Sequence, residues 1–241
     1  MKMLSTLALA AGFAVAAPAA AVTTFATFSA TSNAPSVEFT GTSNGAGTLS
    51  STAQPVTFRF LDAAGGENFT DFAAIFNLAA TTSGGSVTSG IGIAPVTSGN
   101  LSFTSASAVS FGGVTGTNFL TAVFSGSALT AQINGTTANY GVAFPASSVT
   151  FTSDFLDFSD STERDLAFAI TGINPAISAA NFSGGTGSFA GTITGSFSAD
   201  TFAGAGLPSV PEPATWALMI GGFGMVGTAM RRRKALPTVA A

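Results

Sequence analysis

Between residues 23 and 197 apolar residues alternate with small polar ones at a spacing of two. The runs are short and are broken by Gly, Ser, Asn and Pro. This pattern narrows the choice of secondary structure. Successive side chains of a strand point to opposite faces, so a period of two builds one buried face and one wet face. Val56, Phe58 and Phe60 share a face, with Thr57 and Arg59 opposite. The habit recurs at 23–29, at Val37 and Phe39, at Val87, Ile91 and Ile93, at Leu101 and Phe103, and at Val109 and Phe111. It continues at 120–124, 142–144, 149–151, 166–170 and 189–197.

Composition supports the same reading. Thr, Val, Ile and Phe suit a pleated surface, while the polar helix formers Lys, Glu, Gln and Arg are scarce. Charged residues make up only 7% of the 241, and 23 Phe supply apolar area for a core, so the chain is not of the disordered type. One segment fits two patterns. Phe69, Phe72, Phe76 and Ala79 would line a helix face, yet Phe72, Phe76 and Leu78 also alternate. Its neighbours are strands, which favours a strand here too. No fixed short repeat is present, so a solenoid is not indicated. The expected fold is all-β: a single antiparallel β-sandwich or jelly roll over residues 22–202, then a short linker at 203–209.

Several chemistries are excluded by what is missing. The chain has no Cys and no His. Disulfides, thiolate zinc sites, thiol nucleophiles and a Ser-His-Asp triad therefore cannot be built, and no cofactor is indicated. Between residues 22 and 210 two bases, Arg59 and Arg164, stand against ten acids, a net of −8. A phosphate-binding surface needs clustered bases, so nucleic acid is not an expected partner. The one acidic cluster is Asp154, Asp157, Asp160, Glu163 and Asp165, with Arg164 among them. Crowded carboxylates are a weak calcium candidate, because no EF-hand loop is present; a solvated loop between strands, with Arg164 partly balancing the charge, is the preferred reading. Paired carboxylates could also cleave glycosidic bonds. Against this, Tyr140 is the only Tyr and aromatic platforms are lacking, so a non-enzymatic role is expected.

The two ends have a different character. Lys2 precedes an apolar run at 3–17, Pro18 ends it, and Ala19, Ala20 and Ala21 follow. This is the layout of a secretory signal peptide over 1–21, with cleavage after Ala21 and a second option after Ala19. At the other end, Pro211-Glu212-Pro213 precedes 17 uncharged residues, 214–230, and then Arg231, Arg232, Arg233 and Lys234. As a helix those 17 residues would run roughly 25 Å, the short limit for crossing a bilayer. Basic residues stay cytoplasmic, which would place residues 22–210 outside that membrane and 235–241 inside as a cytoplasmic tail. Each proline biases its predecessor toward extended backbone, so Glu212 would stand on a stiff strip just outside the bilayer.

Pro211, Glu212, Pro213, Trp216 and Ala217, followed by the Gly221-Gly222-Phe223-Gly224 span and the basic cluster, resemble the PEP-CTERM sorting signal, in its PEPxxWA variant. The order and spacing agree over residues 210–234. The seven residues after the cluster run longer than is usual for such tails. The resemblance implies recognition by an exosortase after export by the secretion machinery. It further implies transient anchoring in the inner membrane and delivery to the cell surface or extracellular matrix, where exopolysaccharide is a frequent companion. The stretch 150–200 is also similar to ectodomains found with this tail, through its residues 151–156 and 195–200.

Overall fold

A computed structural model describes residues 22–42, 46–61, 70–142 and 148–204. The strands are Thr23–Ala30 (β1), Val37–Gly41 (β2), Gly47–Phe60 (β3), Thr70–Thr82 (β4), Ser86–Thr88 (β5), Ile91–Phe111 (β6) and Val114–Ser125 (β7). They continue with Ala128–Gln132 (β8), Ala138–Val142 (β9), Ser148–Thr152 (β10), Leu156–Asp157 (β11), Arg164–Asn174 (β12), Ser188–Ala199 (β13) and Ala203–Gly204 (β14). The segment that fitted both a helix and a strand is strand β4.

All pairings are antiparallel, and several consecutive strands share one place in the sheet. Strands β1 and β2 lie in line along β3. In the same way β4 and β5 lie along β6, as do β7 and β8, and β10 and β9 continue one another along β7 and β8. Eight staves result: β1/β2, β3, β4/β5, β6, β7/β8, β9/β10, β12 and β13. Each pairs with the next in chain order, and the last pairs back onto the first through β13 with β1 and β2. The sheet is therefore a closed up-and-down meander. No Greek-key crossover occurs among the described strands, so the expected jelly-roll or two-sheet sandwich gives way to a barrel. Closure leaves few open edges, and eight strands enclose just enough width for side chains to fill.

Tight turns serve the meander. Gly112 and Gly113, at φ +59° and +80°, join β6 to β7 as a two-residue turn whose twist matches the strands. The inner faces carry the aromatics. Phe103 is fully buried, with ring centroids 4.6 Å from Phe28, 5.0 Å from Phe58, 5.1 Å from Phe76 and 5.6 Å from Phe197. Glycine makes room for the rings on β6: a Cβ at Gly99 would lie 2.2 Å from the Phe124 ring, and one at Gly92 2.3 Å from that of Phe182. Phe182, held by a short 3-10 turn at Ala179–Asn181, closes one end of the core. Phe25, Phe151, Phe155, Phe158 and the partly buried Phe202 close the other. The barrel is thus packed with side chains rather than hollow.

Candidate functional site at the end where the chain exits

Strand direction sorts the charges. The chain enters the barrel at Thr23, which pairs with Ala199, and leaves it just after the same residue, so both chain ends emerge at one end. The β3–β4, β6–β7 and β10–β12 connections lie there too. Every described charged residue except Glu38 belongs to this end: Arg59, Asp71, Asp154, Asp157, Asp160, Glu163, Arg164, Asp165 and Asp200. Local patterning explains the segregation, because strand interiors use Ser and Thr for their wet face while acids sit where strands stop.

The five acids singled out from the sequence are separately employed. The Asp154 carboxylate accepts the backbone N–H groups of Thr117 and Asn118, both at 2.8 Å. Asp157 accepts the N–H of Ser159 at 2.9 Å, which holds its carboxyl below the usual range. Asp160 and Glu163 contribute backbone carbonyls, to the Thr201 hydroxyl at 2.9 Å and the Ser161 hydroxyl at 3.2 Å. Asp165 lies within β12, opposite Ser198. Among the described residues no group of three or more carboxylates could hold a metal ion. The calcium candidates are near in sequence but are not brought together, because alternate strand and turn positions point them apart. Arg164 does not lie in an ion pair with this cluster either: its Nη2 donates to the carbonyls of Phe158 and Ser161, at 2.7 and 2.8 Å. Arg59 pairs with Asp71 on the outer face, and that contact lowers the Asp71 carboxyl.

Sequence reading missed the residue that organises this end. The Asp200 carboxylate accepts the Ser161 hydroxyl at 2.8 Å, the Thr162 hydroxyl at 2.6 Å, the Thr162 N–H at 3.1 Å and the Thr201 N–H at 2.8 Å. Desolvation opposes its charge, yet these donors prevail and hold the group well below the ordinary carboxylate range. The Asp200 N–H donates to the Glu163 carbonyl at 3.0 Å. Just beyond, Ala203 and Gly204 pair with Asp157 and Leu156, so the first two residues of the stretch read as a linker are strand β14. Only the Thr201 contact is local; Ser161 and Thr162 are 39 and 38 residues away, so no motif could announce the arrangement.

The described surface depressions are shallow and open. An open trough of about 570 Å³ crosses the outer face of β8, β9, β12 and β13 and is lined by Thr130, Asn139, Ala167, Ala169, Thr194 and Ser196, among others, without a carboxylate. A smaller one, about 340 Å³, lies beside Arg164 and Asp157. None of the described depressions is lined by two carboxylates. Tyr140 is buried and donates to the Gly126 carbonyl at 3.0 Å; burial pushes its phenol upward.

The sorting residues Pro211, Glu212, Pro213, Trp216, Ala217, Arg231, Arg232, Arg233 and Lys234, the span 214–230, and the signal peptide with Ala21 all lie outside the described residues. Among the described residues no helix is long and apolar enough to cross a membrane. Comparison by family finds the PEP-CTERM protein-sorting motif at residues 209–234. No curated protein and no solved structure matches the chain. The chain therefore carries a C-terminal PEP-CTERM sorting signal, and such a signal implies an exported protein handled at a membrane by an exosortase.

Proposed function

We propose that this is a non-enzymatic surface or matrix protein: a packed β-barrel, exported through its signal peptide and delivered beyond the inner membrane by its tail. The observation that carries the reading is the sorting motif at 209–234, in which Pro-Glu-Pro, an uncharged span and four bases follow in order. The basic cluster would hold the last residues in the cytoplasm and leave the barrel on the outer side of that membrane. Absent Cys and His, and depressions without paired carboxylates, support a role that does not depend on catalysis.

Deleting residues 211–234 in a host that has an exosortase tests the reading. The truncated protein should lose its wild-type distribution among membrane, surface and medium fractions, whereas unchanged fractionation refutes the proposal. Glu212→Ala should slow processing while the span stays intact, and identical kinetics would remove the motif's role.

The outer trough favours one secondary reading, a binding face for matrix polysaccharide. Its hydroxyl and amide lining can exchange hydrogen bonds with sugar hydroxyls. Filling it with Ala167→Trp should then abolish retention on polysaccharide purified from the host; equal retention of the variant rules the trough out.

A further inference from the structure

We infer that the Asp200-centred clasp is a positioning device for the sorting motif, setting how far Pro211-Glu212-Pro213 can stand from the folded barrel. The inference rests on the sorting reading of the tail and adds a length requirement to it. Residues 200–204 are tied to the loop between β10 and β12 at every step. The Asp200 carboxylate and N–H engage Ser161, Thr162 and Glu163. The Thr201 hydroxyl donates to the Asp160 carbonyl at 2.9 Å. The Phe202 ring packs 5.2 Å from Phe25 and 6.4 Å from Phe158, and Ala203–Gly204 then pair with Leu156–Asp157. The described ties to the barrel run as far as Gly204.

Seven residue steps separate Gly204 from Pro211, so the motif can stand at most about 25 Å from the clasp. On the sorting reading, this reach limits where the motif can be presented relative to the barrel. Opening the clasp would release residues 200–204 and add up to roughly 17 Å of chain. The hydrogen bonds of Asp200 and the burial of Phe202 oppose that release. They keep the starting point of the tether at one end of the barrel, the same end at which β1 begins.

The experiment measures processing kinetics of the full chain in a host with an exosortase. Deleting residues 205–208 should slow processing about tenfold or more, since misplacing a reacting group by ångströms costs orders of magnitude. Adding Asp200→Ala and Phe202→Ser to that deletion should restore most of the rate, because the freed residues replace those removed. A residue with a merely structural role would make the shortened chain worse, not better. A disulfide formed by Asp157→Cys with Ala203→Cys in this cysteine-free chain would lock the clasp. It should leave the full-length tether's kinetics unchanged, and in the shortened chain carrying Asp200→Ala it should abolish rescue. Wild-type kinetics for the shortened chain, or rescue that persists with the lock closed, overturns the inference. So does failure of the unclasped variants to rescue while their barrels stay protease-resistant. If deleting residues 211–234 also leaves sorting unchanged, the sorting reading itself fails. If that deletion abolishes sorting while tether length has no effect, only the clasp inference fails.

Discussion

Truncating Phe103 to alanine removes the ring at the middle of the aromatic core. The side chain is fully buried and its ring lies within 4.6 to 5.6 Å of Phe28, Phe58, Phe76 and Phe197, measured between centroids. Phe→Ala in a core costs about 3–5 kcal/mol, and the value depends on how far neighbours collapse into the cavity. Collapse should be poor here. Phe58 is also packed on Phe60 and Phe119, and Phe28 on Phe76 and Phe197, so each ring that could move is held by others. We therefore expect about 4 kcal/mol, which is a large share of the roughly 5–15 kcal/mol that stabilises a domain. At about 2–4 °C per kcal/mol for a chain of this size, the melting temperature should fall by roughly 8–16 °C. Urea unfolding of the purified exported protein, followed by far-UV circular dichroism and by Tyr140 fluorescence, measures it. Phe103→Leu keeps most of the volume and should cost less than about 1.5 kcal/mol. Val123→Ala, at a side chain 52% exposed, should stay within about 0.5 kcal/mol. A loss below about 1 kcal/mol for Phe103→Ala, or one equal to that of Val123→Ala, would refute the packed-barrel reasoning.

Three further outcomes are expected. Gly99→Ala places a Cβ 2.2 Å from the Phe124 ring, so chemical denaturation should show a loss of about 1–3 kcal/mol unless that ring finds another rotamer. The Asp200 carboxyl is depressed in the fold, so its contribution is present above the unfolded value of about 3.9 and is lost as pH falls below it. Limited proteolysis near residues 200–204 should consequently rise in acid for the wild type, while Asp200→Asn should be susceptible already at neutral pH and change little on acidification. Millimolar calcium should leave the melting temperature unchanged, because a cation that bound the native state would raise it by mass action; a reproducible rise of several degrees would restore the carboxylate loop as a metal site.

Much of the secondary structure was legible because strand alternation is a local property. The patterns at 23–29, 149–151, 166–170 and 189–197 are β1, β10, β12 and β13, and the segment that also fitted a helix is β4, with Phe76 and Leu78 facing inward. Strand β8, Ala-Leu-Thr-Ala-Gln, was overlooked because its buried face consists of Leu129 and Ala131 alone. At the start of β6 the apolar residues point the other way from their neighbours in the pattern. Ile91 is 46% exposed and Ile93 half-buried, while Gly92 and Ala94 face the core because the Phe182 ring occupies the space above Gly92. Hydropathy along one strand cannot register a ring delivered from residue 182.

By itself the amino-acid sequence determined that the chain is β, that its core is phenylalanine, and that its last residues are a sorting address. Those properties reside in consecutive residues: the alternation of side chains, and the sorting motif matched at residues 209–234. Closure of the barrel, the segregation of charge to one end and the Asp200 clasp were decided only in three dimensions. Thr24 meets Ser198 across 174 residues, and Asp200 meets Ser161 across 39. Such contacts depend on register around the whole ring, and no local pattern encodes which strand edge will meet which.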